Sequence, residues 1–314
     1  MSLIQTDYSP AARFNYNLMC KFNRAGIAAA ICLIAAGARF ASAQVNLAGE
    51  WAMTLNEDEP ERLPGPEIGD YLGLPINAAA RLHAESWDAS LLTLPEYQCR
   101  VHPIDYVPSF FNIRIWEERD RDSQELIAFH VHHQAWGTER TIWMDGRAHP
   151  PDYALHTSQG FSTGKWDGEI LTVTTTHLKQ GWIRRNGIPR SDRAIVYENF
   201  IRHGDHLTWT TVIHDPAYLT ETFIRTRDFL LSVGLQMGAY PCESVVEVVM
   251  PKGKIPHHLP GTNTFLAEFP ARYGIPAEAA MGGAETMYPE YQIKLKTMPK
   301  PEKTPQKAQA SKPQ

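Results

Sequence analysis

The chain lacks the signatures that would fix a reaction. It has no phosphate-binding glycine loop, no dinucleotide fingerprint and no His-Glu-x-x-His. A Cys-x-x-Cys-His is also missing, which excludes covalent haem attachment of that type. Positive charge is not in excess. Lys and Arg number 30 against 35 Asp and Glu, for a net charge of -5, so no basic stripe is available and no nucleic-acid partner is expected. Cysteine is scarce, with four in 314 residues. The apolar run from Ala25 to Ala38 is too short for a comfortable membrane span.

That run has a different meaning. Lys21 and Arg24 precede it and Ala41-Ser42-Ala43 follows, the order of a signal peptide with its cleavage site. Residues 1–43 are therefore expected to be a leader and Gln44 the first mature residue, with no membrane span left after cleavage. Met19 would give a leader of more ordinary length than Met1. The protein is expected in the periplasm or the medium. Cys20 and Cys32 depart with the leader, which leaves Cys99 and Cys242 as a disulfide candidate in an oxidising compartment, or as two buried thiols.

The mature chain reads as all-β. Residues 44–56 (QVNLAGEWAMTLN) open with a strand, and residues 57–70 are a loop rich in acidic residues, Pro and Gly. Asn77 to Leu92 carries Ala and Leu at helical spacing, a helical insertion that Pro95 ends. From Phe111 onward the period becomes two. Strands follow over 111–116, 125–133, 139–144, 161–178, 194–215, 220–231 and 242–250. Asp145-Gly146, Asp167-Gly168 and Gly204-Asp205 are the turn pairs. If Asp167-Gly168 is a two-residue loop, Trp166 faces Glu169. If Gly204-Asp205 is another, Phe200 faces Trp209, Glu198 faces Thr211 and Val196 faces Ile213. The expected fold is an antiparallel β-barrel, because closure removes sheet edges, with a β-sandwich as the alternative. Residues 44–294 form one β-rich domain, and the Lys-, Pro- and Gln-rich residues 295–314 form a disordered tail.

Polar residues riding on apolar strand faces point to a site. Alternation with Ile127, Phe129 and Val131 carries His133 inward. His177 shares a face with Leu171 and Val173, and Glu198 shares one with Val196 and Phe200. A buried carboxylate needs a partner or a task. Glu198, His133 and His177 could work as an acid/base set in the barrel interior, performing lyase, isomerase or hydrolase chemistry. Arg184 and Arg185, with Arg190, could clamp an anion, and Trp143, Trp182 and Trp209 could wall a partly apolar ligand. A metal site is the competing arrangement: His130 and His132 on one strand face, completed by His177 or Glu198. A non-catalytic carrier and a structural envelope protein are the readings without chemistry.

The stretches ERTIWMDGRAHPP and GFSTGKWDGEILTVTTTHLKQGWIRRNGIPRSDRA resemble a widespread family of exported bacterial proteins. The likeness extends to DYLGLPINAAARLHAESWDASLLTLPEYQC and PHHLPGTNTFL. It implies export and brings no catalytic residue, cofactor or partner with it. Gly49-Glu50-Trp51, at the start of the first strand, resembles the Gly-x-Trp of lipocalins, which implies a ligand-holding barrel. The inserted helix and the mature length depart from that pattern.

Overall fold

The computed structural model describes residues 45–54, 66–93, 97, 99–106, 111–240 and 252–301. The expected leader over residues 1–43, Cys242, the strand expected over 242–250 and most of the expected tail lie outside these residues.

Nine strands close into a barrel. They are β1 (Gly49–Thr54), β2 (Ile113–Arg119), β3 (Leu126–His133), β4 (Thr138–Trp143), β5 (Phe161–Asp167), β6 (Ile170–Thr176), β9 (Ile195–His203), β10 (His206–His214) and β11 (Phe223–Leu231). The order around the barrel is β1-β11-β10-β9-β6-β5-β4-β3-β2, and β2 returns to β1. Two short strands, β7 (Gly181–Trp182) and β8 (Pro189–Arg190), pair separately.

The barrel is mixed, which corrects the expectation of antiparallel pairing throughout. β4 and β5 run parallel through Ile142↔Ser162 and Trp143↔Thr163. Geometry requires such a seam. Each antiparallel neighbour reverses chain direction, and a full circuit must restore it, so nine strands cannot close on antiparallel contacts alone. A parallel pair also needs a long crossover, which residues 144–160 supply.

Alternation sets the interior. Along β3, Phe129, Val131 and His133 are buried while His130 and His132 are partly exposed. Along β6, Leu171, Val173 and Thr175 are buried, and the threonines at 172, 174 and 176 face out. Trp51, Ile113, Phe129, Phe200, Trp209 and Phe229 are all less than 2 % exposed and fill the barrel. Covering that much apolar surface is the main stabilising contribution, at about 25 cal/mol per Å².

The β9–β10 hairpin has the expected register: Phe200 faces Trp209, Glu198 faces Thr211, and Val196 faces Ile213. The β5–β6 hairpin turns one residue later than expected, so Asp167 pairs with Ile170 and Trp166 with Leu171. Gly168, at φ +60, takes the first turn position, where a side chain would be disfavoured. Moving the turn by one residue shifts every partner by two, so the faces are unchanged.

Helix α1 (Ala78–Glu85) lies between β1 and β2 and is shorter than the periodicity implies. The Asn77 side chain caps it by accepting from the Ala80 amide, and a 3-10 turn continues over Ala89–Thr93. Helices α2 (Glu268–Tyr273), α3 (Ala277–Ala280) and α4 (Pro289–Leu295) follow the barrel.

Candidate functional site

Glu198 and His133 both lie inside the barrel, together with a residue the sequence reading passed over. Arg140, on β4, is buried and holds Glu198 with two hydrogen bonds: Nη1 to Oε1 at 3.0 Å and Nη2 to Oε2 at 2.9 Å. Trp209 Nε1 donates to Oε1 at 3.0 Å, and Thr175 Oγ1 donates to Oε2 at 3.3 Å. The Thr175 proton is committed to Glu198, so the Ser162 hydroxyl donates to Thr175, at 2.8 Å. A carboxylate offers about four lone-pair directions, and here all four are taken. The group forms a closed ion pair with no lone pair left to accept a substrate proton. The signal for Arg140 was present in ERTIW, where it shares a face with Ile142.

His133 sits opposite Thr138 of β4, with its ring 5.5 Å from that of Trp209. Among the described residues neither ring nitrogen has a hydrogen-bond partner, and Thr138 Oγ1 and Arg140 Nε also lack one. Burial, reinforced by the charges of Arg140 and His132, pushes the His133 pKa down to about 3, so the ring is neutral.

His177 does not join this group, which corrects the expectation of one shared hollow. Strand β6 ends at Thr176, and His177 adopts φ +57, so the alternation that would carry it inward stops one residue early. Its ring turns to the crossover. Nε2 lies 3.0 Å from the Pro151 carbonyl, which can only accept, so the proton is on Nε2. Nδ1 then accepts from Thr176 Oγ1 at 2.7 Å. The same hydroxyl oxygen accepts from His149 Nδ1 at 2.7 Å, and His149 Nε2 accepts from Thr163 Oγ1 at 2.8 Å. The result is a chain with one direction, Thr163 to His149 to Thr176 to His177 to Pro151, which fastens the crossover to the β5–β6 hairpin.

Three further expectations are corrected. Trp143 faces outward on β4 and lies under the Arg147 guanidinium at 3.4 Å, so it walls no interior. His130 and His132 also face outward. His130 Nε2 is 2.8 Å from Glu118, and His132 Nδ1 is 3.2 Å from Glu139. Neither meets His177, and among the described residues no group of three His, Cys, Asp or Glu side chains is placed to hold a metal ion. Arg190 is fully buried, in an ion pair with Asp105 at 2.8 Å, and serves as a strut. Arg184 and Arg185 are half-buried in the turn between β7 and β8. Cys99 is exposed.

A cleft of about 460 Å³ lies beside β7. Trp182 forms its aromatic centre, edge-on to Trp87 at 5.4 Å and tilted against Tyr97 at 5.8 Å. His102 lies 6.1 Å from Trp182 and stacks on Trp136 at 4.0 Å. Trp136 holds this position at φ +55, a costly conformation for a bulky residue. Gly187, at φ +95, lies so close to Trp87 that a Cβ would come 2.6 Å from the Trp87 Cβ, which explains glycine there. His83, Arg100 and Lys179 also line the cleft, with Asp88 as the carboxylate among the described lining residues. Burial lowers the His83 pKa. Sequence reasoning found Trp182 but missed Trp87 and Tyr97, which stand on non-strand segments where no face pattern marks them.

No family model matches the chain, and no curated protein and no solved structure is found similar to it. The closed barrel is compatible with the lipocalin resemblance.

Proposed function

We propose that this protein is an exported small-molecule-binding barrel whose ligand is a flat, partly apolar anion held in the cleft around Trp182. One observation carries the reading: Trp87, Tyr97 and Trp182 converge on a pocket of about 460 Å³, a ligand-sized volume. The charge balance supports an anion. Among the described lining residues Arg100 and Lys179 stand against a single carboxylate, Asp88, which already lies 3.5 Å from His258. Acid/base chemistry by Glu198, His133 and His177 is not part of the proposal, because Glu198 is saturated and His177 is elsewhere. Export to the periplasm or medium, with Cys99 bridged to Cys242, belongs to the same reading.

The test is calorimetric titration with a panel of aromatic and aliphatic carboxylates. Aromatic carboxylates should bind, and Trp182→Ala should weaken them at least about tenfold through lost stacking. Failure of the whole panel to bind, or equal affinity in Trp182→Ala, would falsify the reading.

A further inference from the structure

We propose that His102 selects ligands that carry a hydroxyl or N–H donor, by presenting the lone pair of Nε2 as an acceptor in the cleft. This deepens the reading above and rests on it.

The tautomer follows from geometry. His102 Nδ1 is 2.6 Å from the Arg100 carbonyl oxygen, which can only accept, so Nδ1 carries the proton and Nε2 carries the lone pair. Nδ1 is therefore committed to the backbone, while no protein group bonds Nε2 among the described residues. The ring has little freedom to turn away. It is stacked on Trp136 at 4.0 Å with 15° between planes, flanked by Tyr106 at 5.3 Å, and 8 % exposed. The imidazole also stays neutral. Burial, with the charges of Arg100 and Arg185, pushes its pKa down to about 4, so Nε2 keeps its lone pair across neutral pH.

An acceptor fixed in this way discriminates. A ligand with a donor opposite Nε2 makes a hydrogen bond in a poorly solvated place. A ligand with hydrogen there displaces water from Nε2 and returns nothing. Arg100 and Lys179 take the ligand's negative end, the tryptophans its flat body and His102 its donor. The substrate class is then an aromatic carboxylate with a second, hydroxyl-type substituent.

The experiment compares 4-hydroxyphenylacetate with phenylacetate by calorimetry on the full mature protein and on two variants. In wild type the hydroxylated probe should bind roughly tenfold tighter or more. His102→Phe keeps the stacking on Trp136 and should abolish the preference. His102→Gln sets an amide oxygen near the position of Nε2 and should restore part of it. Equal affinity of wild type for the two probes overturns this inference while leaving the cleft reading intact. A preference that persists in His102→Phe overturns the assignment to His102. Failure of both probes, and of every other aromatic carboxylate, overturns the cleft reading and this inference with it. If His102→Phe does not fold, the wild-type pair and His102→Gln decide the question.

Discussion

Replacing Arg140 by Met removes the cation from a sealed ion pair whose side chains are 1 % and 0 % exposed. Glu198 would keep its bonds from Trp209 and Thr175 but lose both guanidinium bonds, leaving a carboxylate with half its acceptor capacity unmet in the barrel. Breaking one side of a buried pair costs about 3–5 kcal/mol, because the remaining charge is uncompensated. For a domain of this size 1 kcal/mol lowers Tm by roughly 2–4 °C, so the fall should be on the order of 10 °C. Urea unfolding followed by tryptophan fluorescence measures it directly, with Trp209 as an internal reporter. The double variant Arg140→Met, Glu198→Leu removes both charges and should be more stable than Arg140→Met alone, since a buried pair often exchanges for apolar residues at little cost. Two results would refute the argument: a loss under about 1 kcal/mol for Arg140→Met, or a double variant whose loss equals the sum of the singles. Either would mean that the pair is solvated in solution and that the interior is not the closed space described above.

Two further outcomes follow from the buried histidines. The His133 ring titrates near 6.5 when unfolded and near about 3 when folded. Below pH 6.5 the unfolded chain takes up a proton that the native ring does not, so stability is complete above 6.5 and falls as pH drops toward 3, by up to about 1.4 kcal/mol per pH unit. The stability difference between wild type and His133→Leu, measured by denaturant titration at pH 7, 6 and 5, should therefore move in favour of the variant as pH falls; a constant difference would exclude a neutral, buried ring. Thr176→Val deletes the hydroxyl shared by His149 and His177. It should cost about 1–3 kcal/mol through the two ring nitrogens left unpaired and speed amide exchange over residues 149–160, and unchanged exchange there would show that the chain does not hold the crossover.

The fold was legible where one rule governed many residues in a row. Alternation along β3, β6 and β9 placed Phe129, Leu171 and Phe200 correctly, and the Gly204 turn set the register of β9 and β10. Reading failed where a local backbone event interrupted the rule. His177 was assigned inward because alternation was extended one residue past the strand, and nothing in Thr-Thr-His marks the positive φ. The parallel seam was invisible because hairpin turns reveal only neighbours in sequence. The partner of Glu198 was within reach, since Arg140 alternates with Ile142, but an arginine is easily read as outward-facing until a buried carboxylate is set against it. The cleft depends on contacts between α1, the segment near 100 and β7, which no periodicity connects.

The seam between β4 and β5 constrains how this architecture can vary. Only an even number of reversals restores direction around the ring, so a single strand inserted or deleted away from this seam would force a second parallel join or an open gap, whereas a change of one strand at the seam would let the ring close on antiparallel contacts alone. Growth or shrinkage by whole hairpins leaves the count consistent. Barrels that keep the parallel seam are therefore expected to differ by two strands at a time, and the crossover at 144–160 is retained with that seam.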